Sequence, residues 1–214
     1  DEINNSSLCL LGNGSMDYEG IELQKYIKHV RPWIFWPRYP IKLENIINKH
    51  GLLDYHNRTI KSLFIGNYEN NVQLKYRSSN SWKDVISEYY CTAGNKHLFT
   101  QDEYLMKIRL SKFGLCLRGF GRKCHREVEL MAFGTIPLIT NEVDIKSYYD
   151  KPIENEHYIL INEPNEVIEK INNIDENEWK RMSNNCIDWY NRNIHSDNMW
   201  GNLINNILYK KIEK

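Results

Sequence analysis

The chain has 214 residues, of which 41% are apolar and 12% aromatic, enough for one sizeable core or two small ones and too many for a disordered segment. Its 28 basic and 28 acidic side chains cancel, which excludes a global field drawing it to nucleic acid or to an anionic membrane. Any anion site must be local.

The first fifty residues read as a partial unit. "SLCLLGNGS" (7 to 15) is a strand running into a glycine loop, "DYEGIELQKYIKHV" (17 to 30) is a helix, and "PWIFWPRYP" (32 to 40) is an aromatic strand bracketed by prolines. This forms an incomplete βαβ layer, a small N-terminal segment over 1–57 that reads as a remnant of a second domain facing the main one (58–214), with the link near "NKHGLLDYHNRT". Asp1 stands where an initiator Met would, which leaves open an upstream leader, anchor or part of a domain. Sequons at Asn4, Asn5, Asn13 and Asn57 matter only in a secreted protein.

From residue 60 strands alternate with helices. "IKSLFIG" is a buried strand ending at Gly66, and "SWKDVISEYY" (81 to 90) carries helical spacing behind a Ser cap. After the short apolar "KHLF", Thr100 stands three residues before Glu103 and opens an amphipathic helix with a capping box. "FGLCL" (113 to 117), "IPLIT" (136 to 140) and "HYILI" (157 to 161) are further apolar strands. Between them "KCHREVELMAF" is a helix closed by Gly134, and Pro164 opens another. The last forty residues give two closing helices. This predicts an α/β fold, a Rossmann-like parallel sheet flanked by helices.

"RGFGRKCHRE" (118 to 127) lies where such a sheet presents its loops to ligands. Arg118, Arg122, Lys123, His125 and Arg126 fall within nine positions, while Gly119 and Gly121 let backbone N–H groups approach an anion at a helix N-terminus. On the helix, Cys124, Val128, Met131 and Ala132 make an apolar stripe beside a polar one of Arg122, His125, Arg126 and Glu129. Glu129 reads two ways: an i,i+4 partner of His125 or i,i+3 partner of Arg126, or an acceptor for ribose hydroxyls. The bland reading of the cations is a solvated helix face beside an ordinary turn.

These residues carry a resemblance. "FGLCLRGFGRKCHREVELMAFGTIPLIT" resembles the nucleotide-sugar-binding half of exostosin-like glycosyltransferases, within the broader GT-B group: an apolar strand, an Arg-Gly step, a variable loop, an Arg, an acidic helix residue, then Gly-x-x-Pro and a strand. Arg118-Gly119, Arg126, Glu129 and Gly134 to Pro137 match in order, and "SLFIGNYENNVQLKYR" adds Arg77 as a second anion-binding candidate. The similarity covers roughly residues 58 to 200. Two departures stand out. A GT-B enzyme has a full N-terminal acceptor domain, whereas about fifty residues precede the similarity here, and Gly121 takes the position where many relatives have an acidic residue.

The resemblance implies a glycosyltransferase, inverting and metal-independent, moving a hexose or pentose from a nucleoside-diphosphate sugar, with UDP-sugars favoured, to a glycan hydroxyl. Arg77, Arg118, Gly119, Gly121, Lys123, Arg126 and Glu129 would hold the donor. Asp17, Glu19 and His125 are the candidates for the base that deprotonates the acceptor. No cofactor or metal is expected. Cys124 replaces the third glycine of a dinucleotide fingerprint, which speaks against NAD, and Cys116, Cys124 and His125 lack zinc-finger spacing. Five cysteines without a close CxxC pair argue for a reducing, cytoplasmic setting. No apolar run reaches the roughly 20 residues of a membrane helix, and "DEINNSS" is not a signal peptide. The rival expectations are a non-catalytic nucleotide-sugar or anion-binding module that needs a partner domain, and a domain that binds phosphoprotein or nucleic acid through the basic loop. The aromatic stretch 31 to 40 reads either as a sugar-stacking platform or as core.

Overall fold

The computed structural model describes residues 9–11, 30–32, 36–146, 148 and 150–205. Two short parallel strands, β1 (Cys9–Leu11) and β2 (Val30–Pro32), form a sheet of their own. Helix α1 (Pro40–His50) then leads into the main unit, where β3 (Ile60–Tyr68), β4 (Glu88–Ala93), β5 (Ser111–Cys116), β6 (Ile136–Thr140) and β7 (Ile159–Ile161) make one five-stranded parallel sheet in the order β4-β3-β5-β6-β7. Helices α2 (Asn71–Arg77), α3 (Asn80–Val85), α4 (Gln101–Arg109), α5 (His125–Ala132), α6 (Glu166–Asn172), α7 (Glu176–Asn193) and α8 (Met199–Leu203) connect and flank it. The expected α/β architecture with a Rossmann-like parallel sheet is therefore present.

Apolar side chains alternate across the sheet because successive strand residues face opposite ways. Leu63, Cys116 and Ile139 point into a core shared with Leu105 and Ile108 of α4, Val128 and Met131 of α5, and Trp189 of α7. Phe64, Leu115, Leu117 and Leu138 point to the opposite face, against Trp82, Val167, Trp179 and Met182. Helix α5 packs closely on β5. A Cβ on Gly114 would lie 2.3 Å from Leu130 Cδ2, so glycine is what lets the helix settle on the centre of the sheet. Gly134, with φ of 66°, ends α5 in the left-handed conformation as its sequence position predicts.

Three stretches differ from expectation. "SWKDVISEYY" is not one helix: it breaks after Val85, and Glu88–Ala93 pair with Leu63–Tyr68 as an edge strand. Tyr89, Tyr90, Cys91 and Thr92 suit a pleated surface, and the stacking of Tyr89 on Phe64, 4.7 Å between centroids, outweighs the helical spacing. The aromatic strand over 32–40 gives way to irregular chain at Trp36–Tyr39, with α1 starting at Pro40, where the ring suits a first helical turn. Helix α1, not anticipated, buries Leu43 and Ile46 in the core of the main sheet. The expected helix at 17–30 lies outside the described residues except for its last position, Val30, which begins β2 instead.

Candidate functional site

In the order β4-β3-β5-β6-β7 the chain departs from β3 to one side and returns to the other, so the carboxyl ends of β3 and β5 flank the point where successive connections diverge and leave a crevice. A cleft of about 540 Å³ lies there, lined from β3 by Ile65, Gly66 and Asn67 and from the β5–α5 loop by Gly119, Phe120, Lys123 and Cys124. Of the residues singled out from sequence, Arg77, Gly119, Lys123, His125, Arg126 and Glu129 line it. Arg118 and Gly121 do not: the Arg118 guanidinium lies 5.9 Å from the centre of the Tyr76 ring, and Gly121 is buried within the loop. Asp17 and Glu19 lie outside the described residues.

Arg77 is largely committed to the fold. Its Nε donates to Arg118 O at 2.9 Å and its Nη1 to Asn67 O at 2.8 Å, tying the end of β3 to the loop after β5. Gly119 makes room for this clasp, since a Cβ there would stand 2.6 Å from Cys124 Sγ and 2.9 Å from Arg77 Nη2. Burial pulls the Arg77 pKa down, with repulsion from Arg126 adding to it.

Arg126 projects from the first turn of α5 over the Phe64 ring, 4.6 Å from its centre, and Nη2 donates to Ile65 O at 2.5 Å. Its Nε and Nη1 are shielded from solvent and have no hydrogen-bond partner. Gly66 allows this approach, because a Cβ there would come within 3.2 Å of Arg126 Nη2. Lys123 is 1% exposed, its Nζ is 4.2 Å above the Tyr148 ring, and it too has no hydrogen-bond partner. Burial pulls its pKa down to about 8, against the attraction of Asp144 and Glu127. Two cationic groups thus line one cleft with hydrogen-bonding capacity in hand.

The carboxylates beside them are built in. Glu127 Oε2 accepts from Cys124 N at 2.9 Å in a capping arrangement at the start of α5, and burial pushes its pKa up to about 7. Glu129 is 2% exposed; it accepts from Arg38 N at 3.0 Å and from Tyr104 Oη at 2.7 Å. Neither local pairing anticipated from helix spacing, with His125 or with Arg126, is among its hydrogen bonds; its partners come from a loop 91 positions away and from α4. His125 Nδ1 lies 2.5 Å from Trp36 O. Because a carbonyl can only accept, that nitrogen carries the proton.

Several lining residues are not marked by any sequence pattern: Gln101 and Tyr104 from α4, Asn67 from β3, Gln73 from α2, and Phe120, 72% exposed on the loop. The capping box located the start of α4 but not the neighbour its polar face would meet. Among the described residues no group of His, Cys, Asp and Glu side chains is placed to hold a metal ion, and no helix is long and apolar enough to cross a membrane. A scan against protein-family models matches none, and a search among curated proteins finds no relative.

Proposed function

We propose that the chain is a glycosyltransferase that moves a sugar from a nucleoside-diphosphate sugar, UDP-sugars first among them, to a hydroxyl of a glycan acceptor. The observation that carries this reading is the pair of buried cations at the switch-point cleft: Arg126, whose Nε and Nη1 have no hydrogen-bond partner, and Lys123, whose Nζ has none. A diphosphate supplies the matching acceptors, and guanidinium and ammonium groups in a shielded site hold it strongly.

In an inverting displacement the acceptor oxygen attacks the anomeric carbon from the face opposite the diphosphate. The bond from that carbon to the phosphate oxygen breaks, its electron pair passes to the diphosphate, and the acceptor proton passes to a base. Arg126 and Lys123 would stabilise the charge growing on the leaving group. His125, which lines the cleft with its Nδ1 turned to Trp36 O, is one candidate for the base that takes the proton. Asp17 and Glu19 remain candidates for the same role.

Calorimetric titration with UDP, GDP and their sugars tests the reading. Binding of a nucleoside diphosphate that collapses in Arg126→Ala, with turnover of the sugar donor, supports it; no nucleoside-diphosphate binding overturns it. Binding without hydrolysis or transfer would assign the cleft to a donor-binding module that acts with a partner domain.

A further inference from the structure

The cleft wall formed by α4 holds a polar group that the preceding chemistry leaves without a role. Gln101 is the first residue of α4, and its Nε2 is shielded from solvent with no hydrogen-bond partner while the residue lines the cleft. A buried donor without an acceptor costs stability, so its presence calls for a reason. The start of α4 is pinned: Thr100 Oγ1 accepts from Glu103 N at 3.3 Å, and Glu103 Oε2 accepts from Thr100 N at 2.8 Å. Gln101 is therefore held in place by local structure and does not sample the cleft as part of a loose loop.

Its neighbours decide what it can meet. Tyr104 stands one turn on, at i+3 on the same helix face, and gives its hydroxyl proton to Glu129. Gln101 on α4 and Glu129 on α5 line the same cleft, linked through Tyr104, so an amide N–H donor and a carboxylate that retains lone pairs face one space. A phosphate would meet repulsion from Glu129. A vicinal diol fits, because each hydroxyl both donates and accepts, giving its proton to the carboxylate and taking one from the amide. Resting on the proposed function, we infer that Gln101 acts with Glu129 to read a vicinal diol of the nucleotide-sugar donor, either on the ribose or on the transferred ring.

The test uses Gln101→Met, which keeps side-chain length and removes the donor, and takes whichever of UDP or GDP the wild type binds. Affinity for that nucleotide falls about tenfold while affinity for its 2′-deoxy analogue moves less than twofold if the diol is the ribose. If the diol belongs to the transferred ring, the bare nucleotide is unchanged and its nucleotide sugar binds about tenfold more weakly. The ligand-free variant unfolds at an equal or higher temperature, by up to about 3 °C, because an unpaired buried donor has been removed. Equal losses for every ligand, no loss for any, or a lower unfolding temperature overturns the assignment of Gln101 and leaves the proposed function standing. A wild type that binds no nucleoside diphosphate overturns both.

Discussion

The two edges of the central sheet treat a buried arginine in opposite ways. At the amino ends of the strands, Arg58 is 3% exposed and well supplied with acceptors. Nε donates to Leu53 O, Nη1 to Ser111 O and Thr135 Oγ1 at 2.7 and 2.8 Å, and Nη2 to Phe133 O, while the guanidinium lies 4.7 Å from the Trp179 ring centre. It is a strut that locks the starts of β5 and β6 together. At the carboxyl ends Arg126 has one acceptor, Ile65 O, and two shielded nitrogens with none. One guanidinium is spent on the fold and the other is held in reserve. In open parallel sheets the carboxyl edge is where loops and helix N-termini converge, so unspent polar groups there point to a ligand.

Four substitutions break or sharpen this contrast. The largest effect is expected for Arg58→Met, which leaves the buried carbonyls of Ser111 and Phe133 short of a donor and should cost about 3 to 5 kcal/mol in urea unfolding. Nucleotide affinity of the folded fraction should not change. Arg126→Met should reverse the pattern, with stability within about 1 kcal/mol of wild type and UDP affinity reduced about 100-fold, or about 2.7 kcal/mol, by calorimetry. A comparable loss of stability would make Arg126 a second strut.

Lys123 gives a pH test with a defined sign. Its folded pKa, about 8, lies below the value of 10.5 for a free lysine, so the cost of holding the charge is present below pH 8 and relieved as pH rises towards 10.5. Wild type should gain stability relative to Lys123→Met across that window. Diphosphate binding needs the charged form, and should weaken about tenfold between about pH 7.5 and pH 9.5 in wild type and stay flat in Lys123→Met. The smallest effect belongs to Glu127. Its pKa, raised to about 7, means that ionisation works against the fold above neutrality and not below about pH 4.5. Glu127→Gln, which can still accept from Cys124 N, should be about 1 kcal/mol more stable than wild type at pH 8 and indistinguishable from it at pH 4.

Much of the fold could be read in advance because its signals are local. "IPLIT" spans β6, Ile136–Thr140, and the Thr100–Glu103 capping box and the Gly134 stop stand where their spacing puts them. The misread stretch, 81 to 90, has a helical pattern in its first half, and only the parallel pairing with β3 turns its second half into strand. The site was legible as a neighbourhood and not as a set of roles. Spacing on α5 put Val128, Met131 and Ala132 on the core side and His125, Arg126 and Glu129 on the cleft side, but it assigned Cys124 to the core, whereas Cys124 lines the cleft, and it could not say that Arg118 lies beside Tyr76 while Lys123 folds under Tyr148.

What the sequence determined by itself is an alternation of apolar strands and amphipathic helices, together with a glycine-and-cation loop at one strand-to-helix corner, because periodicity, caps and glycine positions act over a few residues. Tertiary structure alone decided which cations keep free hydrogen-bonding capacity. It spent Arg77 on Asn67 O and Arg118 O, left Arg126 with one acceptor and brought Gln101 to the cleft wall. Whether a buried polar group is satisfied depends on partners tens of residues away in the chain, and no local pattern carries that information.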